Sequence, residues 1–449
     1  MNDFPTNVKE KLNSIIMDMA KHHWLFSNNP GHDFMRQDLG KLSFYDTMRM
    51  IIGMGKGNTN DEIMDYFDLD PDRIPSQSAF CQRRSQISLS AFEYLFSEFS
   101  SSFPRTTNKF KDHCILACDG CHVVYTTNSE IIEDYNKPRL IDYKGYNHMH
   151  LNGFVDVISK AFLDVVIQPG QQPDERKAFH TMLDHFRPDD PEKYIVTADR
   201  GYESYNNMAH ITESGNRFLI RLRDSKTSGI ISGLDLPDGE YDTSIVFKLV
   251  RKQSNEIKAM MRKDKFLKFV PSTSTFDFLP AKSKKTDPAV IYELPVRLVR
   301  FKITNETYEV IATNLPENEF SPAELKQLYA FRWGIETSFR DLKYTVGLLH
   351  FHAKKTESIL QEIWARLIMY NFSELVASHT TIKKSNRKHL YRINFSNTVH
   401  ICRNFLLRRI PPSDVEALVA ANILPIRSGK SHPRVHSVKH AAYFIYRVA

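Results

Sequence analysis

Apolar positions in the first hundred residues recur at intervals of three and four, over Val8 to Ala20, Phe44 to Gly53, Asp61 to Phe67, Ser78 to Ile87 and Phe92 to Phe99. That period lines one stripe of an α-helix and predicts a helical region up to about Phe103. Asn58-Thr59 offers an N-cap before Asp61-Glu62, and Pro75-Ser76 marks the start of the next helix. Two short helices split by Asp68-Leu-Asp-Pro71 resemble a helix-turn-helix, with Gln77, Ser78, Gln82, Arg83 and Arg84 on the helix that would meet DNA. A plain helical bundle accounts for the same pattern.

From His113 the pattern changes to strands at Cys114 to Cys118, His150 to Ile158 and Phe162 to Ile167. A helix from Asp174 to Phe186, a strand Tyr194 to Ala198, a helix Ser204 to Ser214 and a strand Phe218 to Leu222 follow. Three consecutive strands and then α/β alternation predict a mixed sheet with helices on both faces. Between Asp224 and Phe320 the helical rhythm stops. Strand-like runs at Tyr241 to Val250, Phe266 to Val270, Tyr292 to Val299 and Tyr308 to Ala312 read as a β-rich insertion. Its Lys282, Lys284 and Lys285 either touch DNA or guard a solvated edge. A strongly apolar helix over His352 to Ser378 reads as core.

One further stretch carries chemistry. In Tyr329-Ala-Phe-Arg332-Trp333-Gly-Ile335-Glu336-Thr-Ser-Phe339-Arg340-Asp-Leu342-Lys343, a helix would put Tyr329, Arg332, Glu336 and Lys343 on one face. Leu328, Phe331, Ile335, Phe339, Leu342 and Val346 would form the adjoining docking stripe. One acid among two cations and a phenol suits a phosphate. Two predicted strands each deliver an aspartate with a glycine close behind, Asp119-Gly120 and Asp199-Arg200-Gly201, at a point where the backbone is expected to turn. Three carboxylates from separate elements can hold two Mg²⁺ ions about 4 Å apart, which activate an attacking water or 3′-hydroxyl and stabilise the departing oxygen.

Bulk properties narrow the class. At 449 residues, 41% hydrophobic and 25% charged, the chain has ample apolar sequence for several globular units. Its net charge of +7 is unevenly spread: from Thr381 to Ala449, thirteen Lys and Arg, among them Arg408, Arg409, Arg427 and Lys430, stand against Asp414 and Glu416 alone. That is a nucleic-acid footprint or a solvated basic surface. Five cysteines, an odd number, point to a reducing compartment, and no run is long and apolar enough for a membrane span, so a cytoplasmic protein with no membrane partner is expected. Cys118-Asp119-Gly120-Cys121 invites a zinc or redox reading but lacks a second ligand pair, and a strand puts neighbours on opposite faces. Ser428-Gly429-Lys430-Ser431 echoes a phosphate-binding loop but has Leu424 where the leading glycine belongs.

Taken together, Asp119-Gly120, Asp199-Arg-Gly201-Tyr202 and Tyr329-x2-Arg332-x3-Glu336-x6-Lys343 resemble the motifs of bacterial DDE transposases of the insertion sequence 4 family, and the likeness extends over nearly the whole chain. The resemblance implies an α/β fold: a ribonuclease-H-like mixed-sheet core with a β-rich insertion, plus helical N- and C-terminal regions. It divides the chain into a DNA-binding part at 1–105, core at 106–223, insertion at 224–320, core at 321–378 and a basic region at 379–449. It also implies that Asp119, Asp199 and Glu336 form a catalytic triad binding Mg²⁺, with Mn²⁺ as a substitute. Tyr329, Arg332, Trp333 and Lys343 would hold the DNA end. Terminal inverted repeats and target DNA are the implied partners, and a homodimer the implied working state. Some family members carry an aromatic wedge, often tryptophan, in the insertion. Here Trp24, Trp333 and Trp364 all lie outside it, so a DNA-hairpin step stays open. A nuclease of the same fold and an inactive DNA-binding repressor are the alternatives.

Overall fold

The computed structural model describes residues 4–35, 41–103, 109–137, 145–225, 227–280, 288–304, 306–382, 389–407, 409–426 and 445–446. The N-terminal region is helical, with α1 (Phe4–Lys21), α2 (Phe44–Gly53), α3 (Thr59–Tyr66), α4 (Gln77–Gln86) and α5 (Leu89–Ser101). Side-chain caps start α2, α3 and α4. Asn58 and Asp61 form a reciprocal capping box at α3, and Ser76 accepts from the Ala79 N–H at α4. Asp68 and Leu69 both adopt left-handed backbone after α3, which ends that helix sharply.

The central sheet contains β1 (Cys114–Thr126), β2 (Tyr135–Asn136), β3 (Tyr146–Asp156), β4 (Phe162–Pro169), β5 (Tyr194–Ala198) and β6 (Arg217–Leu222). Between strands lie α6 (Glu175–His185) and α7 (Tyr205–Glu213). β3 is antiparallel to β1 and to β4, whereas β1, β5 and β6 run parallel. This is the mixed order expected of a ribonuclease-H-like core. The insertion adds β7 (Tyr241–Val250), α8 (Asn255–Lys263), β8 (Leu267–Phe269), β9 (Ile291–Lys302) and β10 (Tyr308–Thr313). Its strands do not form a separate body. β10 pairs with β6, so the sheet runs on through β9 and β7 to β8, giving ten strands among the described residues. The helix α8 was not legible as such, because it buries only Ile257. Lys282, Lys284 and Lys285 lie outside the described residues.

Alternation along the strands divides two apolar layers. Ile115, Ala117, Ile195, Leu219 and Ile311 join a core made with the N-terminal helices and the C-terminal half of the chain. Leu116, Cys118, Val196, Ala198, Ile220 and Val310 join a second core with α6, α7 and the insertion. A period of two sends successive side chains to opposite faces, so one sheet serves both layers. After α9 (Pro322–Phe331), α10 (Trp333–Arg340) and a π-helical turn at Asp341–Val346, β11 (His350–Phe351) leads into α11 (Thr356–His379). α11 is buried nearly all round, from Ile359 to Val376, because α2, α5 and α12 (Phe395–Leu406) surround it. β12 (Tyr391–Ile393), α13 (Pro412–Ala421) and β13 (Ile423–Pro425) complete the described C-terminal region, and β14 (Ile445–Tyr446) pairs with β11. Among the described residues no helix is long and apolar enough to cross a membrane.

Candidate active site

Asp119 and Asp199 are brought together by strand register. β1 and β5 pair in parallel with Cys118 opposite Ala198, so the next residue on each chain is an aspartate. Adjacent strands lie about 5 Å apart, which makes the two carboxylates neighbours. Asp199 ends its strand and caps the following turn, its Oδ1 accepting the Gly201 N–H at 2.7 Å. Asp119 does not end its strand. β1 continues to Thr126 with Gly120 paired to Asn152, so the turn expected at Asp119-Gly120 is absent. The Gly120 N–H donates instead to Asp119 Oδ1 at 2.9 Å.

The third acid comes from the helix over this strand. The single helix expected through Tyr329 to Lys343 is broken into segments: at Arg332 the bonding tightens to three-residue steps, and from Asp341 it widens to a π turn closed by left-handed Gly347. α10 lies close on β3, where a Cβ on Gly153, the residue paired with Asp119, would stand 3.0 Å from the Phe339 ring. Arg332 is buried and links two of the acids, with Nη2 3.2 Å from Glu336 Oε1 and Nη1 3.9 Å from Asp119 Oδ2. Its guanidinium lies over the Trp333 ring at 4.9 Å and the Tyr329 ring at 5.6 Å. Burial pushes the Asp119 carboxyl up to about 6; Gly120 and Arg332 pull against this, and the negative charges of Asp199 and Glu336 add to it. Asp119 is therefore within electrostatic reach of both Asp199 and Glu336.

The remaining expected residues fare differently. Trp333 is exposed, and Lys343 reaches the Cys121 thiol, which burial pushes up to about 11 against the pull of that lysine. Tyr329 is buried at 3% exposure beside Arg332 and Arg221, much as Arg332 itself is buried. Arg84 does not face outward to DNA. It is buried and spends its guanidinium on Gln361, Glu362 and the Ser358 carbonyl of α11, because the side of α4 that carries it faces the core. Arg83, one position along, is half-buried, bonds Gln86 and lies over the Phe34 ring. Arg409 pairs with Asp65 at 3.4 Å and also donates to its carbonyl. Arg408, Arg427 and Lys430 lie outside the described residues. Cys118 and Cys121 join opposite cores, as strand geometry requires, and the described cysteines are free.

Two clusters were not anticipated. His122 packs edge-to-face against His148 and His150 across β1 and β3, with ring centroids 4.7 and 4.8 Å apart, and His150 Nε2 lies 3.1 Å from Glu175 Oε1. The His148-Met-His150 alternation was a readable sign that both rings share a face. Glu175 carried no comparable signal. In the second cluster His180, His210 and Asp277 meet; Asp277 accepts from His210 at 2.7 Å and from Asn206 at 2.9 Å, and so docks an insertion loop on α7.

Fold and site define a ribonuclease-H-like α/β protein in which Asp119 and Asp199 stand on adjoining strands and Arg332 links Asp119 to Glu336. Residues 110–372 match the family described as transposase DDE domain, and the chain belongs to that family. It is 24% identical over 249 residues to transposase InsG for insertion sequence element IS4 of Escherichia coli (strain K12), over 52% of this chain and 53% of that protein. The chain thus spans about half the length of this curated relative. A solved piggyBac transposase synaptic complex with hairpin DNA is similar over 96% of this chain and 87% of that one, at 12% identity and a TM-score of 0.39. A likeness of that size carries no argument about function.

Proposed function

We propose that this chain is a DNA transposase of the insertion sequence 4 type, which cleaves at terminal inverted repeats and joins the freed 3′-hydroxyl to target DNA. The observation that supports this reading is geometric: the β1/β5 register sets Asp119 beside Asp199, and Arg332 reaches both Asp119 and Glu336. Three oxygen donors with mutual repulsion fit a hard divalent cation, Mg²⁺ or Mn²⁺, held by Asp119, Asp199 and Glu336. When bound, such a cation supplies charge stabilisation and an activated nucleophile.

The chain's own groups do the positioning. Arg332, braced by Tyr329 and Trp333, offers a fixed cation next to the acids, and Lys343 offers a second from the π turn; both suit the charge of a phosphodiester. In the first step water attacks phosphorus at the element end, the phosphorus–O3′ bond breaks, and the 3′-oxygen leaves with the electron pair and takes a proton. In the second step that hydroxyl attacks a target phosphate and displaces another 3′-oxygen. One ester replaces another, so no nucleotide hydrolysis is required.

Residues 1–105 would bind DNA through the Arg83 side of α4, 106–223 and 321–378 would form the core, 224–320 the insertion and 379–449 the basic region carrying Arg408, Arg409, Arg427 and Lys430. Pairing of two element ends makes a homodimer on DNA the working state, in the cytoplasm. The test is Glu336→Gln assayed with terminal-repeat DNA and, separately, with pre-cleaved ends and a supercoiled target. Retained end binding with lost cleavage is expected. Unchanged cleavage overturns the triad, and cleavage without joined products in the native chain leaves a nuclease.

A further inference from the structure

The glycines after the two aspartates are not there for backbone conformation. Neither Gly120 nor Gly201 is among the glycines with positive φ, and Gly120 lies in a regular strand. What each has in common is the space that its missing Cβ leaves. A Cβ on Gly120 would stand 2.3 Å from His150 Nε2, and one on Gly201 would stand 3.8 Å from Glu175 Oε2 and 3.0 Å from Asp199 Oδ1. His150 Nε2 in turn meets Glu175 Oε1 at 3.1 Å.

One carboxylate is therefore aimed at both motifs: through His150 at Asp119-Gly120, and directly at Asp199-Arg-Gly201. Being 3.8 and 3.0 Å from the same point, Glu175 Oε2 and Asp199 Oδ1 are at most 6.8 Å apart. Glu175 sits at the first position of α6, a helix capped by Asp174, so its backbone is fixed, and the positive helix end favours its charge. His150 is 3% exposed and held edge-to-face against His122, whereas the Glu175 carboxylate is 42% exposed and open to a ligand. Two carboxylates this close together favour a cation between them.

We propose that Glu175, oriented by His150, is a fourth carboxylate of the divalent-metal site. This rests on the reading of Asp119, Asp199 and Glu336 as that site. Glu175 would be a ligand, and His150 a positioning residue that sets the direction of the carboxylate, in the manner of partners that orient metal ligands.

The experiment is Mn²⁺ titration of the full chain without DNA, followed by the loss of the free-ion electron paramagnetic signal, with thermal melts to verify folding. Glu175→Gln, which keeps shape and loses charge, should weaken Mn²⁺ binding by roughly tenfold or more. Glu175→Asp should retain part of it. His150→Leu should weaken binding, and His150→Gln, which keeps a donor, should restore most of it. Native-like Mn²⁺ affinity in folded Glu175→Gln overturns the proposal. Asp199→Asn is the discriminating control: if it too binds Mn²⁺ normally, the three-acid reading fails, and if it alone loses binding, only the role of Glu175 fails.

Discussion

Arg84 Nη1 donates to Glu362 Oε1 at 2.9 Å across 278 residues of sequence, in a pair that is almost wholly buried. The same carboxylate accepts the His352 N–H at 2.9 Å, and Arg84 Nε donates to Gln361 Oε1 at 3.0 Å. This network ties α4 to α11 and so fastens the N-terminal helices to the layer that carries Glu336.

Arg84→Ala would leave Glu362 charged and buried without its partner. The expected cost is about 3–5 kcal/mol of stability, measured by urea unfolding. Arg83→Ala, on the half-buried neighbour, should change stability little and lower DNA affinity, with a shallower salt dependence. Equal loss of stability in both would contradict the separation of their roles.

Glu374 gives the protein a pH-dependent stability. Burial pushes its carboxyl up to about 7; Lys160 and Tyr370 pull it down, and Asp341 adds to the rise. Its folded value lies above the ordinary 4.5, so the folded chain keeps a proton that the unfolded chain has released. Its favourable contribution is full below pH 4.5 and declines as pH rises to about 7, by at most roughly 3 kcal/mol. Glu374→Gln should flatten the melting temperature between pH 5 and 8 and raise it at pH 8. A mutant curve parallel to the native one would count against this.

Gly120→Ala forces a methyl group to within 2.3 Å of a buried imidazole. Overpacking of this kind costs about 1–3 kcal/mol, and here it should also displace His150 from Glu175. Gly239→Ala is the matched control, since nothing lies within 4 Å of its Cβ position. Thermal melts and Mn²⁺ titration together should show loss in the first variant and none in the second.

Arg332 stands where it opposes a metal ion while favouring a phosphate. Arg332→Ala should therefore tighten Mn²⁺ binding severalfold while reducing cleavage of terminal-repeat DNA. Weaker Mn²⁺ binding in a folded variant would mean that the arginine mainly holds the acids in place.

Much of this architecture was readable locally. Helix α2 and strands β5 and β7 begin and end where the apolar period and the turn residues put them, and Asn58 and Ser76 act as the caps their positions indicate. Periodicity depends on residues within a few positions of each other, and a sequence states those directly. The candidate acids were legible too, as Asp119, Asp199 and Glu336 on separate predicted elements.

Partners distant in sequence were not. The chain determined by itself most of its helices and strands and the two faces of its sheet, but not α8 or the run of β1 past Asp119. Tertiary structure alone decided that Cys118 and Ala198 share a register, that Arg84 turns to α11 and not to solvent, and that Gly120 and Gly201 make room for His150 and Glu175. The physical reason is that a charge or a missing Cβ takes its meaning from what packs against it, and that is set by strand pairing and helix docking across hundreds of residues.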